Sequence, residues 1–183
     1  MKGFTLTELL VVSALFSIAI GSISSIFIAG ISSQRKILEE QEVLNQISYV
    51  MEYMGKAIRM AKKDDIEIGD STKDCLGGAE KVNYEAPSES EIKFRNYQNQ
   101  CQRFFLHENR IYEQKNYDTV PPGPSFPLTS PTLNITSLKF RVFGENQTDD
   151  FQPRVTIFIE VDRKGKKLQF QTTISQRDLD VLY

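Results

Sequence analysis

MKGFTLTELLVVSALFSIAIGSISSIFIAGISSQ, residues 1–34, is the stretch on which the fold turns. Its only charges are Lys2 and Glu8, and every other charged side chain of the 183 residues falls between Arg35 and Tyr183. From Leu9 to Ile31, sixteen residues are Ala, Val, Ile, Leu or Phe, five are Ser and two are Gly; the first Pro of the chain is Pro87. As a helix rising about 1.5 Å per residue, such a segment reaches roughly 35 Å, enough to cross a hydrocarbon core of about 30 Å with some tilt. A cleaved secretory signal has a shorter apolar region, about 7–15 residues, so this run reads as an anchor that stays.

The helical pattern continues beyond the apolar run. Leu44, Ile47, Met51, Met54, Ile58 and Ala61 step by three and four, the spacing of one face of an amphipathic helix. Charged residues such as Glu39, Glu40, Glu42, Glu52, Lys56 and Arg59 occupy much of the rest. With no Pro or linker between the two patterns, one helix is expected from about residue 5 to residue 62. Its first half, apolar all round, calls for lipid or other helices; its second half calls for a domain to lean on. Within the first half, Ser13, Ser17, Gly21, Ser25, Ala29 and Ser33 recur every four residues, and small residues at that spacing let neighbouring helices approach closely in lipid.

The body that follows is about 150 residues long and polar. Gly69 and the segment Asp70–Gly78 read as a loop, and alternation then marks strands at Ile92–Tyr97, Cys101–His107 and Arg110–Gln114, the last returning from a turn at Glu108-Asn109. Residues 117–133 hold five of the seven Pro (Pro121, Pro122, Pro124, Pro127, Pro131) and read as an irregular loop. Three better strands follow, with Leu138, Phe140 and Val142, then Val155, Ile157, Ile159 and Val161, then Leu168, Phe170, Thr172 and Ile174 on the oily faces. Arg163-Lys164-Gly165-Lys166 joins the last two as a hairpin. One oily and one wet face describe an antiparallel sheet packed on something, and the helical seam is available.

Glu8 is the odd residue. A carboxylate at the edge of an apolar span is costly unless it is paired or functional, although a helix N-terminus favours negative charge and Thr5 or Thr7 can cap that end. Gly3-Phe4-Thr5-Leu6-Thr7-Glu8-Leu9-Leu10, running straight into a charge-free span, resembles the class III signal of type IV pilins and pseudopilins. The resemblance covers the first 30 or so residues and implies an α+β, pilin-like fold: a long N-terminal helix, half transmembrane and half amphipathic, packed on an antiparallel β-sheet. It implies a leader at 1–3, a transmembrane and filament-core helix at 4–33, an amphipathic half at 34–63, and a β-rich domain at 64–183 with a Pro-rich loop at 117–133. A prepilin peptidase would cut between Gly3 and Phe4 and N-methylate Phe4, and Glu8 would pair with the amino terminus of a neighbouring subunit. Ser13, Ser17, Gly21, Ser25 and Ala29 would line the helix contacts. The leader, Met1-Lys2-Gly3, is shorter than most in that family, and the apolar half lacks the Pro that major pilins often carry.

The same resemblance implies other pilin-like subunits, the prepilin peptidase and an inner-membrane assembly platform as partners. It also implies a single-pass membrane location, with the N-terminus cytoplasmic and the C-terminal domain extracytoplasmic, and entry into a surface filament. Charge does not decide orientation, since Lys2 flanks one side of the span and Arg35 with Lys36 the other. A body outside the cytoplasm would join Cys75 to Cys101, the only two cysteines. Closing a loop of about 26 residues stabilises by roughly 3–4 kcal/mol on loop-closure entropy.

Nothing in the sequence points to an enzyme. No nucleophile motif, phosphate loop or metal-ligand spacing is present, and one His with two Cys makes no zinc cluster. His107 reads as an ordinary strand residue; Asp70 with Asp74, and Asp149 with Asp150, read as solvated loop carboxylates; Arg163, Lys164, Lys166 and Lys167 read as a solvated hairpin tip. The 22 Lys+Arg against 24 Asp+Glu, net charge -2, lack the basic bias of a nucleic-acid binder, so a nucleic-acid partner and a cofactor are not expected. The expected function is that of a structural subunit, a minor pilin or pseudopilin of a type IV pilus, type II secretion or DNA-uptake filament. The alternative is a single-pass anchored extracytoplasmic binding module that does not polymerise.

Overall fold

A computed structural model of the chain describes residues 3, 5–63, 75–76, 82–144, 146, 151–163 and 165–177. Phe4, the pairs Asp70/Asp74 and Asp149/Asp150, Lys164 and most of the loop expected at 69–78 lie outside the described residues. Among the described residues one helix, α1 (Leu6–Arg59), precedes eight strands: β1 (Tyr84–Ser88), β2 (Glu91–Arg95), β3 (Cys101–His107), β4 (Arg110–Lys115), β5 (Ser125–Pro127), β6 (Asn134–Phe143), β7 (Arg154–Arg163) and β8 (Lys166–Ser175). This is an α+β, pilin-like architecture. The chain divides into two compact units, residues 1–45 and 46–183.

In the first unit α1 starts as the sequence dictates. Thr5 is the cap: its carbonyl accepts the Leu9 N–H at 3.2 Å and its hydroxyl accepts the Glu8 N–H at 3.4 Å. Thr5 followed three residues later by Glu8 is the capping-box pattern. The apolar side chains of this stretch are open, Leu9 at 69% exposure and Ile26 at 73%. The helix is long and apolar enough to cross a membrane.

In the second unit the helix face is set by Ile47, Val50, Met54 and Ile58, all at most 1% exposed, and continues to Ala61. The expected seam is therefore corrected at two places. Val50 takes the place given to Met51, which is half-buried, and Leu44 is 45% exposed. At about 100° per residue, Val50 lies roughly 40° from the line through Met54, Met51 roughly 60° and Leu44 roughly 80°. Carbonyls at and just beyond the C-terminus of α1 accept from distant donors, with no Gly cap. Tyr84 donates its hydroxyl to the Ile58 carbonyl at 2.8 Å, the Arg177 N–H bonds the Arg59 carbonyl at 2.8 Å, and Gln176 Nε2 bonds the Ala61 carbonyl at 3.1 Å.

The single expected sheet is two antiparallel sheets, ordered β1-β2-β3-β4-β5 and β6-β7-β8. The inward residues of β7, Val155, Ile157, Ile159 and Val161, are fully buried. On β6 a bulge between Ile135 and Ser137 inserts one residue, so that Ile135 and Leu138, three apart, both face the core. The two sheets are tied where β6 passes the first sheet's turns: Phe140 N–H bonds the Glu89 carbonyl at 2.8 Å and Ile135 N–H bonds the Asn109 carbonyl at 3.0 Å.

Three boundaries differ from expectation. β2 stops at Arg95 rather than Tyr97, because the Asn96 side chain accepts the N–H groups of Gln98 and Gln100, both at 2.9 Å, and turns the chain. β1, unexpected, tolerates Pro87 because it is an edge strand with an irregular register between Glu85 and Ser88. The Pro-rich loop is not wholly irregular, since Ser125–Pro127 pairs with β4, Pro127 opposite Tyr112. The two-residue turn at Glu108-Asn109, both with positive φ, closes β3–β4 as expected.

Candidate assembly site and the disulfide anchor

The candidate assembly residues lie along α1 and come to no common point. Gly3 is exposed just before the helix. Glu8 sits in the first turn, exposed, and its carboxylate has no hydrogen bond or ion pair among the described residues. Ser13, Ser17, Gly21, Ser25 and Ala29 are all exposed. The serine hydroxyls donate within their own helix: Ser13 to the Leu10 carbonyl at 2.9 Å, Ser17 to the Ser13 carbonyl at 2.8 Å, Ser25 to the Ser22 carbonyl at 2.8 Å. A hydroxyl used in this way carries no unsatisfied donor into an apolar medium. What the stripe offers a neighbour is therefore smallness. A Cβ added at Gly21 meets nothing within 4 Å.

Cys75 and Cys101 are disulfide-bonded, with Cα atoms 5.1 Å apart. Both are buried with Leu76, and Val82 and Tyr117 pack on them. The Tyr117 hydroxyl donates to the Cys75 carbonyl. The bridge thus ties residues 75–76 to the start of β3.

Of the other candidates, His107, Lys166 and Lys167 are exposed surface groups. His107 ends β3 with its Nε2 3.8 Å from Glu108 and its ring on the edge of Tyr112. Of the basic hairpin residues, Lys167 pairs with Glu160 at 3.0 Å. Hydrogen bonds from Gln169, Lys167 and Thr136 hold the Glu160 carboxyl down at about 2. Among the described residues there is no group of three or more His, Cys, Asp or Glu that could hold a metal.

One arrangement went unseen in the sequence. Glu113 on β4, nearly buried, accepts the Tyr53 hydroxyl of α1 at 2.8 Å and Gln102 Nε2 at 2.6 Å, with Lys115 Nζ at 3.4 Å. Gln102 in turn accepts from Asn96 at 3.0 Å. Burial, and then the Glu113 carboxylate, push the Tyr53 phenol well above its usual value. The signal for it was a Glu in the inward phase of a strand, which alternation alone reads as a flaw.

An apolar helix with a capped, acid-bearing first turn precedes a disulfide-pinned antiparallel domain, an arrangement that is pilin-like in architecture and fits a single-pass membrane anchor. Residues 1–24 match the family described as the prokaryotic N-terminal methylation motif, the prepilin-type signal of type IV pilins. That signal implies processing by a prepilin peptidase and partnership with other pilin subunits. No curated protein and no solved structure matches the chain significantly.

Proposed function

We propose that the chain is a minor pilin or pseudopilin, a structural subunit of a type IV pilus, type II secretion or DNA-uptake filament. The observation that carries this reading is the methylation motif at residues 1–24 running without a break into a helix whose apolar side chains are exposed on every side. Cleavage between Gly3 and Phe4 frees an amino terminus that keeps its positive charge when methylated. In the filament, helices exchange lipid for one another along Ser13, Ser17, Gly21, Ser25 and Ala29. In that low-dielectric bundle an unpaired Glu8 is penalised by several kcal/mol, and a cationic amino terminus of the next subunit relieves it. The pair thereby favours one stagger between subunits. The globular part lies outside the cytoplasm, where its disulfide persists.

Mass analysis of the mature chain is expected to show loss of Met1–Gly3 and a methyl group on the Phe4 nitrogen. An intact Met1 would instead support the anchored binding module. Glu8→Ala is expected to leave membrane insertion intact and to remove the chain from sheared filaments; normal incorporation would overturn the pairing role.

A further inference from the structure

Strand β8 is an edge. It pairs with β7 over ten residues in unbroken register, from Arg163 opposite Lys166 to Arg154 opposite Ser175. Its other side has no backbone partner among the described residues. Proteins usually blunt such an edge with Pro, a bulge, charged side chains or a cover; β8 has neither Pro nor bulge, and its two charges, Lys166 and Lys167, stand at its first two positions. Its inward residues are also under-covered. Those of β7 are fully buried, whereas Leu168, Phe170 and Thr172 are only half-buried. Only Ile174 is closed over, at 4% exposure, where Gly55 lets the helix approach: a Cβ added there would touch Ile174 at 3.5 Å.

Between β8 and the helix face that begins at Ser48 lies an open groove of about 890 Å³, with Met51, Met60 and Phe170 among its walls. Lys56, Arg59 and Arg177 also line it, and Glu52 is the one acid among the described residues of its lining. The three cations make no ion pair or side-chain hydrogen bond among the described residues, so the groove combines a free strand edge, an apolar wall and an excess of positive charge.

Resting on the assembly reading above, we propose that this groove receives an extended, acidic segment of a neighbouring pilin-like subunit, which adds as a further strand to β8. An extended segment satisfies the outward N–H and C=O groups of the edge, which a docked helix does not. Alternate residues of an added strand face opposite sides, so apolar side chains meet Met51 and Phe170. Carboxylates on the segment answer Lys56, Arg59 and Arg177. The helix bundle and the strand addition are separate contacts, one in the apolar span and one in the folded domain.

The test uses the full chain in its own cells with Phe170→p-benzoylphenylalanine, and Thr172→p-benzoylphenylalanine as a second probe position, with retention of the Cys75–Cys101 bridge as the check on folding. After irradiation, the expected adduct joins the chain to another subunit bearing the same N-terminal signal, through a peptide of alternating apolar and acidic residues. Lys56→Gln with Arg59→Gln is expected to lower its yield about fivefold. An adduct to the chain's own residues 178–183, to lipid, or to a helical segment overturns the inference, as does an undiminished yield in the double variant. Absence of any adduct at both probe positions also overturns it. N-methylation of Phe4 and filament content, read on the same sample, report separately whether the assembly reading stands.

Discussion

Gly21 isolates the small-residue stripe at a single atom. A Cβ there meets nothing within 4 Å, so Gly21→Ala has no steric cost within the subunit and replaces a poor helix former with a better one. Any loss must then come from a neighbour. The expected outcome is an unchanged melting temperature for the folded domain and a several-fold drop in the share of chain recovered in filaments; unchanged recovery would remove the stripe from the contact. Tyr53 poses the opposite case, a residue whose partner is within the chain. Its hydroxyl is one of two donors at short range to Glu113 Oε1, at 2.8 Å. Tyr53→Phe is expected to cost about 1 kcal/mol, and close to nothing when Glu113 is already Ala, because the bond is then gone. Urea midpoints of the four variants give the coupling directly; equal losses in both backgrounds would mean that the bond contributes nothing.

Among the elements, glycines separate two kinds of constraint. Gly123 lies where an added Cβ would fall 2.1 Å from the Lys115 carbonyl oxygen, and its N–H bonds the Asn116 carbonyl at 2.9 Å. Gly165, in the β7–β8 turn, has φ of 83° and open space around it. Gly165→Ala therefore costs only the left-handed backbone, about 1 kcal/mol. Gly123→Ala forces the loop off β4 and is expected to cost about 2–3 kcal/mol, with loss of amide protection at Leu128, whose N–H bonds the Ile111 carbonyl at 2.8 Å. Comparable denaturation midpoints for the two variants would contradict this ordering. Elements with a clean period were legible beforehand. α1 was marked by an unbroken apolar run and then a 3–4 stepping pattern; β6, β7 and β8 by period two; the β3–β4 turn by Glu108-Asn109. The strands that escaped, β1 and β5, contain Pro87 and Pro127, which local reading counts against a strand but which an edge tolerates. The choice of Val50 over Met51 turned on some 20° of helix phase, finer than counting apolar steps resolves. Motif and spacing marked the span that carries the candidate assembly residues, but the groove beside β8 depends on where a helix stops approaching a sheet, which no residue pattern encodes.

At the scale of the whole molecule, two numbers decide where the chain can live and what holds its folded part. Thirteen Val, Ile, Leu and Phe side chains between Leu9 and Ile31, each worth about 1.5 kcal/mol or more when removed from water, put the penalty of aqueous exposure on the order of 20 kcal/mol. Those side chains stay exposed with residues 46–183 folded, so relief of the penalty calls for lipid or neighbouring helices. The folded part draws on a second device. The Cys75–Cys101 bridge spans 26 residues and links residues 75–76 to β3, while β6, β7 and β8 form their own sheet without it. Cys75→Ser with Cys101→Ser is expected to lower the unfolding free energy by about 3–4 kcal/mol, and the loss should be uneven. Hydrogen exchange should show protection falling around Cys101, whose carbonyl accepts the Asn116 N–H at 2.7 Å, and at Tyr117, which reaches back to Cys75. The fully buried Val155–Val161 stretch of β7 should keep its protection relative to the global value, because its partners lie on β6 and β8. A uniform loss across both sheets would show instead that the domain loses stability as one cooperative unit, with no added local pinning of residues 75–76.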